Sequence, residues 1–237
     1  MKPAYAFLVC TMLLSSGCSM FQKEQYGTEQ MLFLPGKVKA IWAVAPAINL
    51  SGQEQVDPLL QADLVYSQLQ QVHGVTIIPV NRVVEVFVSL KIDKIQTPEQ
   101  AALVCDLLGA DAIVVPTITM FDPYNPPKFG ASLQLMAKPG SFVRNANVDP
   151  RELARAARPD PNQAPVAIDN ADFIQSVGMF DASNGTTRDL VYEYARGRNN
   201  PSGPMGAEEY FQSMDRYCSF VYFTLIDDLL HSPKLRR

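Results

Sequence analysis

Few side chains in this 237-residue chain are of the kinds that carry covalent chemistry, and their spacing excludes most of it. Cysteines stand at positions 10, 18, 105 and 218, and histidines at 73 and 231. No Gly-x-Ser-x-Gly elbow, His-Glu-x-x-His helix or phosphate-binding glycine loop occurs. Cys105 and Cys218 lack a metal-ligand spacing. His73 and His231 both fall at the ends of expected helices, where an imidazole meets free carbonyls and the negative end of the dipole, so a structural role is expected of each. Asp227 and Asp228 are neighbours on an expected helix, where adjacent side chains point apart, and read as a solvated face. No catalytic residue, metal ligand or cofactor is assigned, and the chain is read as a non-enzyme. Cys18 stands apart from these.

Upstream of Cys18, Lys2 gives a basic start, residues 4–14 an apolar run, and Ser15, Ser16 and Gly17 a small-residue cleavage region. This is the order of a secretory signal, and its apolar run is too short to span a bilayer. The stretch Leu14-Ser15-Ser16-Gly17-Cys18 resembles the lipobox of bacterial lipoproteins. The resemblance implies removal of residues 1–17, a thioether diacylglycerol on Cys18 and usually a third acyl chain, palmitate or a similar fatty acid, on its amine. Each buried methylene contributes about 0.8 kcal/mol, so two or three long chains make a near-permanent anchor. In the alternative reading the signal is an ordinary one and Cys18 is incidental. Ser19 stands where an Asp would alter sorting in Gram-negative members, so the resemblance implies the outer membrane, with the domain in the periplasm.

About 220 residues follow the signal, enough for one large or two small domains. Apolar content of 47% and charged content of 19% describe a folded globular chain. A net charge of -4 argues against a general nucleic-acid binder. Cys105 and Cys218 could bridge in an oxidising compartment, but both lie on apolar stripes of expected helices, which favours buried thiols.

These residues must be positioned by the elements between them. Residues 18–36 read as the lipidated N-terminus and a tether. Residues 37–49, almost continuously apolar around Ala40 to Ala45, read as a strand buried on both faces. Asp57-Pro58 caps a helix with Leu59, Ala62, Val65, Tyr66, Leu69 and Val72 on one face, ending near His73-Gly74. Residues 75–80 form a second strand. Asn81 caps a helix turning Val84, Phe87 and Val88 inward. Thr97-Pro98 with Gln100 opens a helix that buries Ala101, Val104, Cys105 and Leu108 and stops at Gly109. Residues 112–120 are again a buried strand, and residues 130–137 return antiparallel after the turn-rich link at 122–127. A polar, proline-rich insertion occupies about 138–170, with a short helix at 151–158. Residues 173–182 and 188–194 flank Asn184-Gly185, a hairpin signal. A long helix at 207–231 carries Tyr210, Met214, Tyr217, Val221, Leu225 and Leu229 on its core face, and its charges exclude a membrane span. The fold class is α/β: a mixed, partly parallel sheet with covering helices, late antiparallel hairpins and a long C-terminal helix. Residues 37–237 read as one domain.

Two surfaces are candidates for partners. Arg151, Arg155 and Arg158 line one face of the insertion helix, with Arg144 nearby, and would suit an anionic polymer or headgroup; a plain solvated helix is the alternative. Phe211, Phe220, Tyr222 and Phe223 make the final helix apolar around more of its circumference than one sheet face requires. Deep burial or an oligomer surface would each account for them, and burial is favoured.

The succession of a lipobox, Ile41-Trp42-Ala43-Val44-Ala45-Pro46 with Asn49 and Gly52, Val75-Thr76-Ile77-Ile78, and Leu107-Leu108-Gly109-Ala110-Asp111-Ala112-Ile113-Val114-Val115 resembles the curli-secretion-lipoprotein superfamily. That group includes penicillin-binding-protein activator lipoproteins and the N-terminal domain of the Tol-system propeller protein. The resemblance covers residues 37–122 and implies an α/β fold in a non-enzymatic accessory, scaffold or regulator of a cell-envelope complex. Its implied partners are the bilayer, through acylated Cys18, and envelope proteins, with a homo-oligomer as a further candidate and no nucleic acid. A ring-forming secretion subunit is the alternative, but the long alternating strands of a pore are missing.

Overall fold

The computed structural model describes residues 29–36, 39–138, 172–198 and 204–235. Among them, eight strands and six α-helices follow in chain order: β1 (Leu32–Phe33), β2 (Ala40–Val44), β3 (Ile48–Asn49), α1 (Pro58–Leu69), β4 (Val72–His73), β5 (Val75–Ile77), α2 (Val80–Leu90), α3 (Pro98–Leu108), β6 (Ala112–Asp122), β7 (Lys128–Ala137), β8 (Asp172–Asp181), α4 (Gly185–Ala195), α5 (Glu209–Gln212) and α6 (Met214–Leu230). A 3-10 turn, Gly206–Glu208, precedes α5.

The main sheet has the order β5-β2-β6-β7-β8, with β3 also on β6. β2 runs parallel to β5 and β6, and β3 parallel to β6, while β7 is antiparallel to both β6 and β8. The expected mixed, partly parallel α/β fold is therefore what the chain adopts. Strand periodicity splits the core in two. Trp42 and Val44 of β2 face one side, with α1, α4 and α6; Ala43 and Ala45 face the other, with α2 and α3. Both faces of β2 and of the start of β6 are covered, which is why these strands read as unbroken apolar runs.

Local signals place several helix ends. Asp57 accepts from the amides of Leu59 and Leu60, with Pro58 opening α1. Thr97 accepts from the Gln100 amide, and Gly109 closes α3 in the left-handed region at φ 68. Other expectations are corrected. α1 stops at Leu69, and the residues expected to finish it form β4 against β1. Hence β1 lies inside the stretch read as tether. α2 begins at Val80 after Pro79, so Asn81 is inside it, and the buried face is Val80, Val83 and Phe87 while Val88 is 72% exposed.

The expected hairpin at Asn184-Gly185 is a helix start: the Asn184 side chain accepts from the Thr186 amide and α4 follows. The expected C-terminal helix is interrupted at Ser213, whose extended backbone ends α5 and whose hydroxyl accepts from the Arg216 amide to open α6. No helix among the described residues is long and apolar enough to cross a membrane.

Candidate functional site

The most built feature near the N-terminal end of the described residues is the seat of residues 29–36. β1 pairs in parallel with β4, Leu32 opposite Val72 and Phe33 opposite His73. The Leu34 amide continues the ladder to the His73 carbonyl at 2.9 Å, and the Ala40 amide takes the next carbonyl, that of Gly74, at 3.0 Å. Gly74, at φ 93, bends the chain so that β4 can hold the N-terminal segment while β5 belongs to the main sheet.

Arg198 clips this segment down. It follows α4, and its guanidinium lies 4.2 Å from the centroid of Tyr194 and 4.4 Å from that of Phe223. Its Nη1 donates to the Tyr194 carbonyl at 3.1 Å and its Nη2 to the Gln30 carbonyl at 3.2 Å. Nε stands 3.1 Å from Glu29 Oε1, an ionic contact without hydrogen-bond alignment. The side chain is only 9% exposed. A cation in that position retains its favourable energy because aromatic faces and carbonyls replace the lost water.

Two clefts flank the seated segment. One, of about 460 Å³, lies between residues 29–31 and 70–73. The other, of about 240 Å³, is bordered by Gln30, Phe33, Pro35, Asp227, Leu230 and His231 among others. The two histidines thus end up beside the same strand. His73 stacks on Phe33 with centroids 4.9 Å apart and planes 18° apart. It sits in β4 and not at a helix end. His231 is at the end of α6 as expected, its Nδ1 2.8 Å from the Asp227 carbonyl and 3.3 Å from Asp227 Oδ1. Among the described residues, no three His, Cys, Asp or Glu side chains are grouped to hold a metal ion.

Cys105 and Cys218 are free and buried. They lie in different cores, Cys105 under α2 and α3 and Cys218 on the opposite face of the sheet, so the sheet separates them and no bridge can form. Burial raises the Cys105 thiol to about 12 and raises Cys218 further still. Both are structural and unreactive.

Of the two readings of the aromatic group, the favoured one, burial, is what the described residues show, and the four side chains do not form an exposed oligomer surface. Phe211, Phe220, Tyr222 and Phe223 are between 0% and 5% exposed. α6 lies across the sheet, where Phe129 meets Tyr222 and Phe180 meets Phe220 edge to face, both at 5.5 Å. α5 and α4 close over the rest, so this helix is apolar on nearly every side because it is covered on nearly every side. Cys18, Arg144, Arg151, Arg155 and Arg158 lie outside the described residues. Sequence reasoning missed Arg198, Glu29 and Phe33. Their only local signal is an Arg just after an amphipathic helix, which does not disclose a partner at Gln30.

No family model matches the chain, and no curated protein matches it. Among solved structures it is similar to the LpoB C-terminal domain from Salmonella enterica, at 15% identity over 55% of this chain and 82% of that one, with a TM-score of 0.34. Lipoprotein GNA1162 from Neisseria meningitidis matches at 17% identity over 65% and 92%, with a TM-score of 0.36. A PelC dodecamer from Paraburkholderia phytofirmans matches at 10% identity over 90% and 98%, with a TM-score of 0.34. Likenesses this remote carry no part of the functional reading that follows.

Proposed function

We propose that this chain is a non-enzymatic, membrane-anchored lipoprotein whose α/β domain serves as an accessory or regulator of a cell-envelope complex. The observation that carries the reading is the succession of Leu14-Ser15-Ser16-Gly17-Cys18 and, within a short stretch of chain, a segment fastened into the fold by β4 and Arg198. From an acylated Cys18 to Glu29 the chain can reach at most roughly 40 Å fully extended. The domain is therefore confined to the membrane's neighbourhood, and the clip at Arg198 makes residues 29–36 part of the body that a partner meets. Such a design suits recruitment of an envelope component next to the bilayer. In this reading the membrane is the outer membrane and the domain works in the periplasm, as the lipobox followed by Ser19 implies.

The test is Cys18→Ser in the full-length chain, followed by membrane fractionation and a crosslinking pull-down from intact cells. Loss of the chain from the membrane fraction together with loss of a specific envelope complex is expected. A variant that still sediments with the envelope, or a native chain that captures no envelope protein, overturns the proposal.

A further inference from the structure

Residues 29–36 are joined to the rest of the fold by few contacts. The ladder of β1 on β4 is two residues long, and the Leu34 amide adds one bond to the His73 carbonyl. Leu32, at 4% exposed, is the side chain that enters the larger core, and Leu34 packs against that core. Met31 is 58% exposed and Phe33 61%. The two clefts, of about 460 and 240 Å³, leave the segment bordered by open space. The other fastening, Arg198, is built by the domain itself. Its guanidinium takes the Tyr194 carbonyl and the rings of Tyr194 and Phe223, and only the Gln30 carbonyl and the Glu29 carboxylate come from the segment. This receptor therefore stays assembled when the segment leaves. Downstream the chain is anchored afresh. Leu34 and Ala40 bond to consecutive carbonyls, those of His73 and Gly74, so the residues between them loop out of the ladder. From Ala40, β2 is held by β5 and β6 without help from β1. A segment with one buried anchor and a short ladder opens at a free energy well below that of the whole domain.

We propose that residues 29–36 are a releasable clasp that sets the length of the tether between the acylated Cys18 and the domain. The clasp is read from the geometry above, and its effect on reach rests on the anchor given under the proposed function. With the clasp closed, the free chain ends at Glu29 and reaches at most roughly 40 Å; with it open, the free chain runs to Ala40 and reaches roughly 80 Å. A partner held farther from the bilayer than the closed tether can reach binds only the open state, so its binding draws the equilibrium that way. When the domain returns to the bilayer the clasp closes again, because Arg198 and the slot of Leu32 are still in place. The device alters where the domain can work and leaves both cores as they are.

Hydrogen exchange of the full-length chain in vesicles of phosphatidylethanolamine and phosphatidylglycerol tests the clasp. Amides of residues 29–36 should exchange at least about tenfold faster than those of β2. Arg198→Lys keeps the charge but loses the fork shared by Tyr194 and Gln30; it should speed residues 29–36 by about tenfold more and leave β2, β6 and Trp42 emission as in the parent. Phe33 and His73 are opposed in the ladder and stacked, so Phe33→Cys with His73→Cys lies within disulfide range. That bridge should slow residues 29–36 toward the rate of β2, and reduction should reverse it. Reach is read by pulling the C-terminus of the lipid-held chain away from a supported bilayer. A reversible lengthening of up to about 40 Å is expected before the domain unfolds, absent in the bridged variant and regained on reduction. If residues 29–36 exchange only together with β2, or Arg198→Lys speeds every region alike, the segment is an integral strand and the proposal is overturned. A lengthening that survives the bridge overturns it as well. A chain that the bilayer does not hold overturns the anchor instead, and the exchange rates still decide the clasp.

Discussion

Tyr217 and Tyr222 lie on the same helix and are both fully buried, yet their hydroxyls are in opposite situations. Tyr222 donates to Gln61 Oε1 at 2.7 Å, a pair that lets a glutamine only 2% exposed sit inside the core. The Tyr217 hydroxyl has no hydrogen-bond partner among the described residues. Burial raises both phenols well above their ordinary value. Removing one partner of a buried bond leaves the other desolvated and costs about 1–3 kcal/mol, whereas removing an unpaired hydroxyl takes away a penalty. Tyr222→Phe is therefore expected to lower the melting temperature by several degrees and Tyr217→Phe to hold or raise it, in thermal unfolding followed by circular dichroism. Equal losses from both variants would mean that the ring environment and not the hydroxyl sets the cost. Tyr194 repeats the Tyr222 arrangement with Gln68 at 3.1 Å, so α1 is tied to α6 and to α4 by tyrosine–glutamine bonds.

At the scale of elements, Asn184-Gly185 is the instructive position. The dipeptide suits a type I′ hairpin, which needs positive φ at both residues. It also suits a helix start, where Asn caps from an extended backbone. Asn184 has φ -82 and Gly185 is not in the left-handed region, so the helix is what forms. Asn184→Ala should then cost about 1 kcal/mol. Gly185→Ala should stabilise by about 0.4–1 kcal/mol, because a Cβ there meets nothing and the unfolded chain loses freedom. Denaturant midpoints of the two variants check this, and a destabilising Gly185→Ala would restore the hairpin. The sequence left this choice open because both structures share their first two residues, and what decides is tertiary: Val191, Tyr194 and Ala195, spaced for a helix, find the core beneath them. Where the signal is local it was legible, as at Asp57-Pro58, at Thr97 with Gly109, and in the unbroken apolar runs of β2 and β6. The burial of Gln61 was not, since its partner is 161 residues away, and neither was the clip at Arg198, whose hold on Gln30 spans 168. Exposed Val88 was misplaced because a helix with five valines, a phenylalanine and a leucine among its eleven residues offers more apolar side chains than its one covered face can take.

At the scale of the whole molecule, the sheet joins two cores, and α2 reaches both, Val80 lying in the larger and Val83 and Phe87 in the smaller. β2 and β6 send alternate side chains into each, so neither core can be dismantled while leaving the strands that build the other intact. Both cores also hold groups that can ionise only at a cost. Burial lifts Cys105 from an ordinary value of 9.0 to about 12 in the smaller core, and Tyr194 from 10.0 to about 12 in the larger, where Tyr217, Tyr222 and Cys218 are raised too. In every case the folded state prefers the protonated form. The stability this represents is fully present below the unfolded values near 9 to 10 and is lost as pH climbs toward about 12, because the unfolded chain releases protons that the folded chain retains. Alkaline unfolding between about pH 9 and 12 is therefore expected, and it should strike both faces of the sheet in one transition. Trp42, the single tryptophan, is 1% exposed on the larger-core face of β2, while far-UV circular dichroism reports α2 and α3 together with the rest. The two signals should move at the same pH and with the same steepness. If Trp42 emission shifts while a helical fraction survives to higher pH, the two cores unfold separately and the sheet does not couple them.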